Sequence, residues 1–407
     1  MGTGSGRDAV SLRSHNLRTL LRHVHRHGST TRAELGRISG LTRSAVGDLV
    51  AELVVRDLVL EWPAAAESSR RGRPGLVVAP RDSARVLAIS IRAETLRTAW
   101  VGLGGTVGHV TEVRHERVPD DPGPSLNQLA ELVARQVDAA ATGPLAVGLA
   151  VPGLVQAADG VVALEPRLGW RDLPLVEELR RRTGVTVPVV IGNDSNWAAL
   201  AEHVRGAGCG HDNMIYLEAG LSVGGGIIVN GQLLQSGYAG EVGHMVIGDS
   251  TTPCYCGGHG CWQTQVGGDA LLRRAGIAVV DLTDRRAVLT GLLARADRGD
   301  PETVAALAEL VPPMGAGIAT LLSIFDPEQI ILDGLFATVL RHCGEQLRAA
   351  IDEYAGPLWP LFPAKLVVAQ LGDSAPLLGA AEGAIAAFLS QLDPYVERVR
   401  VANSVAR

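Results

Sequence analysis

Gly240-Glu241-Val242-Gly243-His244, followed by Cys254-Tyr255-Cys256-Gly257-Gly258-His259-Gly260-Cys261, is the most informative stretch of this 407-residue chain. Three thiolates and an imidazole form the donor set of a closed, tetrahedral zinc site of the structural kind. His244, Cys254, Cys256 and Cys261 are the expected ligands of a structural Zn2+, with His259 as the competing nitrogen. Glycines at 257, 258 and 260 let the backbone fold tightly enough for Cys261 to turn back toward the others. A metal here orders a glycine-rich loop that has little core of its own. Three of the five cysteines cluster in this loop, a pattern that suggests metal binding rather than a disulfide framework.

On either side of the loop, apolar strands alternate with amphipathic helices. Strands are expected over 85–91, 98–103, 145–150, 187–191, 214–218 and 225–229, with helices over 126–141 and 197–204. Gly104-Gly105 marks a turn and Asn230-Gly231 a hairpin turn. Such alternation describes an α/β fold that gathers ligands at the carboxyl ends of its strands. Asn193 and Asp194 stand at one such end; a plain helix N-cap is the competing role for Asp194.

The first eighty residues follow another pattern. Leu12, Leu17, Leu20, Leu21 and Val24 recur at helical spacing up to Gly28. Thr31 with Glu34 suggests a capping box for a short helix over 31–38, and Thr42 caps a third helix with Val46, Leu49, Val50 and Leu53 as its apolar stripe. Helix, short helix, glycine turn, helix is helix-turn-helix spacing. Strands at 58–62 and 76–78 flank the basic segment 68–75 and complete a wing. Arg43 and Ser44 are the candidates for the major groove, and Arg70, Arg71 and Arg73 for the minor groove. A protein-interaction helical domain or a solvated basic loop would share these features.

Charge favours the DNA reading. Residues 1–80 carry 12 Arg against 7 acidic residues, so a head of +5 sits on a body of −11 within a net charge of −6. No run of 18 apolar residues and no apolar leader is present, which predicts a cytoplasmic protein without a membrane span.

The chain resembles the ROK family (repressor, open reading frame, kinase). The resemblance rests on Ala239–His244 and Cys254–Cys261, with Val151-Pro152-Gly153, Leu168-Gly169-Trp170, Asn193-Asp194, Asp326-Pro327-Glu328 and the winged helix-turn-helix. It implies a winged head over 1–80 and a two-lobed, actin-like (RNase-H-like) α/β domain over 84–407, with a sugar in the cleft. It also implies sugar-hydroxyl ligands at Asn193, Asp194, Glu241 and His244, and at Gln263, where the family usually has Glu. The family's Asn before Leu-Gly-Trp is Arg167 here, positioned to meet an anionic effector or to pair with Glu165.

The family's ATP-facing elements have eroded. Asp-x-Gly-Gly-Thr falls on Ser90-Ile91-Arg92-Ala93-Glu94, Gly-Thr-Gly-x-Gly on Gly220-Leu221-Ser222-Val223-Gly224, and Gly-Gly on Asp333-Gly334. Loss of backbone phosphate cradles alongside a retained sugar set implies a sensor with no catalytic residue. The expected function is a sugar-responsive transcriptional regulator, a repressor of carbohydrate genes, acting as a homodimer or homotetramer on operator DNA. A sugar kinase with an added DNA-binding head is the alternative, and a regulator answering to a protein partner is a third.

Overall fold

Thr31 and Thr42 start two helices by the same chemistry. The Thr31 hydroxyl accepts from Glu34 N at 3.1 Å and the Thr42 hydroxyl from Ala45 N at 3.3 Å, satisfying orphan donors of each first turn. These threonines open α2 (Arg32–Ser39) and α3 (Arg43–Val55), which follow α1 (Ser5–His27). Gly40, at φ +66°, supplies the left-handed residue between them. The capping box is only half made, because the Glu34 carboxylate pairs with Arg37 one turn on. Leu17, Leu20, Leu21, Val24, Val46, Leu49, Val50 and Leu53 are buried, as their spacing predicts, whereas Leu12, at the start of the expected stripe, is exposed.

The computed structural model describes residues 5–64, 75–118, 120–235, 240–247, 251–278, 282–356 and 364–392. Strands β1 (Thr30–Thr31), β2 (Val59–Pro63) and β3 (Leu76–Pro80) form a sheet in the order β1-β3-β2. The pair β2 and β3 is the expected wing frame; β1 is too short to show a period. The wing tip, with Arg70, Arg71 and Arg73, lies outside the described residues.

The chain divides into two compact units, Met1–Gly192 with Ala380–Arg407, and Asn193–Gly379. The first holds the head and β4 (Arg85–Ile91), β5 (Thr95–Gly102), β6 (Thr111–Arg114), α4 (Gly123–Asp138), β7 (Val147–Val151), β8 (Leu154–Gln156), β9 (Val161–Glu165), β10 (Trp170–Leu173), α5 (Leu175–Thr183) and β11 (Val189–Asn193) up to Gly192. Its main sheet runs β11-β7-β4-β5-β6, and β8–β10 form a small separate sheet. Apolar faces of α4, α5 and the main sheet close one core around Ile89, Leu129, Leu149 and Trp170.

The second unit begins with α6 (Asp194–Arg205), β12 (Met214–Ala219), β13 (Val223–Val229) and β14 (Gln232–Leu233). There follow α7 (Gln263–Val266), α8 (Gly268–Arg274), α9 (Leu282–Asp297), α10 (Pro301–Ala308), α11 (Val311–Phe325), β15 (Gln329–Gly334), α12 (Leu335–Ala355), β16 (Lys365–Val368) and the start of α13 (Ala375–Ser390). The sheet order is β14-β13-β12-β15-β16. In both main sheets the strands stand, by chain order, third, second, first, fourth, fifth. This duplicated mixed sheet is the actin-like plan, so the α/β expectation holds. No single helix among the described residues is long and apolar enough to cross a membrane.

Candidate functional site

β11 delivers Asn193 to the mouth of α6. Asn193 is extended (φ −61°, ψ 141°), and its Oδ1 accepts from Ser195 N at 3.0 Å and Asn196 N at 3.1 Å. The N-cap role that competed for Asp194 therefore belongs to Asn193. Asp194 is the first helical residue; its Oδ1 takes the Ser195 N–H at 2.9 Å, where the helix dipole also favours negative charge. Gly224 and Gly226 bring β13 onto this turn: a Cβ at 224 would lie 2.1 Å from Ser195 Oγ, and one at 226 lies 2.4 Å from Ala199 Cβ.

Glu241 precedes a single 3-10 turn, Val242–His244. Burial, reinforced by the Asp194 charge, pushes the Glu241 carboxyl up to about 7. Two carboxyl groups thus share one field. An ionised carboxylate accepts hydroxyl protons, while a protonated carboxyl also donates. Such a pair suits a polyhydroxylated ligand. Asn196 joins them: its Oδ1 is buried without a hydrogen-bond partner among the described residues, 3.0 Å from where a Cβ on Gly240 would sit. Its position three residues after Asn193, on the same helix face, was the available signal.

The metal quartet assembles as the spacing predicts. One ligand atom from each of His244, Cys254, Cys256 and Cys261 lies within 4.8 Å of the others, and His259 is not part of the group. Cys256 Sγ and Cys261 Sγ are 3.7 Å apart, and His244 Nδ1 is 3.8 Å from Cys254 Sγ. A tetrahedral ion with Zn–S near 2.3 Å separates its sulfurs by about 3.8 Å, so the residues fit that ion. Burial holds the His244 imidazole below its ordinary range, favouring the neutral form that ligates. Burial and the neighbouring thiols push the Cys261 thiol up to about 12, so a dication binding here displaces a proton.

Gln263 faces the metal site. It is buried; its Nε2 donates to Cys254 Sγ at 3.1 Å and its Oε1 accepts from Val223 N at 3.3 Å. With those partners, the structure does not by itself bring Gln263 to the Asp194–Glu241 pair. In the other unit Arg167 Nε is 3.1 Å from Glu165 Oε1, and the Glu165 carboxylate also takes Leu168 N at 2.8 Å.

Arg43 and Ser44 open α3 on its exposed side. Beside them a hollow of about 1010 Å³ is lined by Thr31, Arg32, Gly36, Leu41, Arg43 and Leu76. Arg32 is held there by Glu61, while Arg13 Nε donates to Glu52 at 3.0 Å and ties α1 to α3. At the ATP-facing positions, Ser90 is buried at the end of β4, and Asp333 accepts from Tyr216 Oη at 2.8 Å and Gly334 N at 2.7 Å.

The ROK family profile matches residues 86–386. The chain belongs to the ROK family. Among ROK proteins it is 27% identical to the xylose repressor of Bacillus subtilis over 393 residues, 95% of this chain and 98% of the repressor. The glucokinase of Streptomyces coelicolor is 33% identical over 311 residues, 70% of this chain and 96% of the kinase. A crystal structure of a ROK family transcriptional regulator, described as a homologue of the E. coli MLC protein, superposes with TM-score 0.77 at 25% identity. It covers 95% of this chain and 99% of the other. Head and body together are therefore matched by regulators, and a kinase match leaves about a third of the chain aside.

Proposed function

We propose that this ROK protein is a sugar-responsive transcriptional repressor whose effector domain binds a sugar without phosphorylating it. The observation that carries the reading is the extent of the likeness: the xylose repressor spans 95% of the chain, the glucokinase 70%. Residues 1–80 form the DNA-binding head, with Arg43 and Ser44 reading the major groove and Arg70, Arg71 and Arg73 the minor groove. Residues 84–407 form the effector domain. Asn193, Asp194, Glu241 and His244 hold sugar hydroxyls, with Gln263 acting on them through the metal site, and a neutral aldose such as xylose is the first candidate. Structural Zn2+ on His244, Cys254, Cys256 and Cys261 supplies a fixed anchor for the loop that carries Glu241. A homodimer or homotetramer acts in the cytoplasm on a palindromic operator, its two α3 helices about one helical turn apart.

The ATP-facing positions support a reading without phosphoryl transfer. The Ser90 hydroxyl replaces a metal-binding carboxylate, Glu94 repels phosphate, and Asp333 is committed to Tyr216 and Gly334. The kinase alternative is tested by incubating the full chain with ATP, Mg2+ and a panel of aldoses. Sugar-dependent ADP release above the rate without sugar would establish the kinase reading instead. Asp194→Ala distinguishes a sugar signal from a protein signal: release from DNA by sugar disappears in that variant only if sugar is the effector.

A further inference from the structure

His25 lies on α1 of the head, and Glu382 lies 357 residues later on α13. Both side chains are only 5% exposed, and His25 Nε2 is 2.7 Å from Glu382 Oε2. The other ring nitrogen, Nδ1, meets the Leu103 carbonyl just beyond β5. One imidazole thus joins the head helix to the turn after β5 and to α13. Burying such a pair costs desolvation that it barely regains, so it contributes little to stability over an apolar contact. What it does supply is a single geometry, since the Glu382 carboxylate and the Leu103 carbonyl hold the imidazole ring by both of its nitrogens.

Both ends of this joint are mechanically stiff. In the head, α1 is fixed to α3 by Arg13 and Glu52, and Arg56 shares the same carboxylate. In the body, α13 is pressed onto backbone with no room for a side chain. A Cβ on Gly148 of β7 would lie 2.0 Å from Ala380 O, and one on Gly379 lies 1.8 Å from Trp197 O of α6. The helix is unbroken from Ala375 to Ser390, and the division between the two compact units falls within it, after Gly379. The same α13 therefore touches α6, which begins at Asp194, and carries Glu382 one turn later.

We propose that the His25–Glu382 pair is the joint that sets the DNA-binding head on the body, and that α13 carries the effector state to it. The second half of this statement rests on the sugar-responsive reading above. His25 and Glu382 are positioning residues, acting on operator binding through α1 and α3.

The test uses the full-length chain and a DNA duplex selected by it from a random-sequence pool, with D-xylose and D-glucose as probes. Variants are Glu382→Gln, His25→Ala and the apolar double replacement His25→Leu with Glu382→Leu, which keeps the contact buried if a single change prevents folding. Thermal melting, sugar binding by calorimetry and duplex binding by anisotropy are read in parallel. In the wild type, sugar is expected to change duplex affinity by about 5–150-fold, the usual range of such coupling. The double variant is expected to melt cooperatively and keep its sugar affinity, while its sugar response collapses to under about 2-fold. A folded double variant with wild-type duplex affinity and wild-type response overturns the proposal. If the wild type binds neither sugar, the sugar reading fails while the joint stands or falls on duplex affinity alone. A loss of about tenfold or more in a folded variant then supports it, and an unchanged affinity refutes it.

Discussion

Replacing Gly317 with alanine should loosen the metal centre from behind. A Cβ on Gly317 of α11 would lie 2.1 Å from Trp262 Cε2 and 2.4 Å from its Cζ2 and Nε1. Ordinary contact begins at 3.4 Å, so the indole must retreat by about 1.3 Å. It has little room to do so: it is fully buried, tilted against Phe336 at 5.5 Å, and anchored by Nε1 to Pro313 O at 2.8 Å. Overpacking of this kind costs about 1–3 kcal/mol, and stretching the anchoring hydrogen bond adds about 1 kcal/mol. Improved helix propensity returns about 1 kcal/mol, leaving a net loss of about 1–3 kcal/mol. For a unit of this size that lowers the melting temperature by roughly 2–12 °C.

The same shift reaches the metal, because Trp262 is flanked by Cys261 and by Gln263. Displacing ligand-supporting residues weakens metal sites by about 10–100-fold, and a loss near the lower figure is expected. Melting followed by circular dichroism, and zinc affinity measured against a chromophoric chelator, read the two effects. Combining Gly317→Ala with Trp262→Phe, which shrinks the ring, should restore most of both. Wild-type melting and wild-type zinc affinity in the single variant would refute the packing argument.

Further outcomes test the site. Zinc affinity should fall as pH drops from 8 to 6, because binding must displace the Cys261 proton; chelator competition at both pH values measures this. Gln263→Glu places a carboxylate against Cys254 Sγ in place of the donating amide and should weaken zinc by about tenfold, whereas an unchanged affinity would show that the contact is idle. Glu241, raised from 4.5 to about 7, is neutral below that pH and ionised above it. Sugar affinity should therefore fall between pH 6 and pH 8 as the donating proton of Glu241 is lost, and Glu241→Gln should flatten the slope in calorimetric titrations. The raised value also means that the stability this group lends is present below about pH 4.5 and is lost as pH climbs through about 7. Arg43→Ala should reduce the slope of log affinity against log salt by about one if the guanidinium meets a phosphate, as titrations at several salt concentrations will show.

Features governed by nearby residues were legible in the sequence. Thr31 and Thr42 cap the helices they precede, the apolar stripe of α3 is buried, and four ligands spread over eighteen residues converge as their chemistry demands. Local patterns were less informative where two roles share one motif. Asn193-Asp194 read as a pair, but the extended backbone at 193 gives the capping role to Asn193 and leaves Asp194 to face Glu241. Gln263 has the place of a sugar ligand in the motif, and contacts with Cys254 Sγ and Val223 N, nine and forty residues away, hold its amide in a way the motif does not encode. Helices α11 and α13 carry little periodicity to betray their faces, because they are apolar nearly all round. The His25–Glu382 contact closes 357 residues of chain, and nothing local at either end encodes it.

The central claim is that one chain couples a sugar to DNA release without phosphorylating it. Titrating a pool-selected duplex with the full-length chain, with and without saturating D-xylose and in the absence of ATP, tests that claim most directly. Duplex affinity is expected to be weaker by about fivefold or more with sugar present. Duplex affinity that stays constant while calorimetry shows the sugar bound would contradict it.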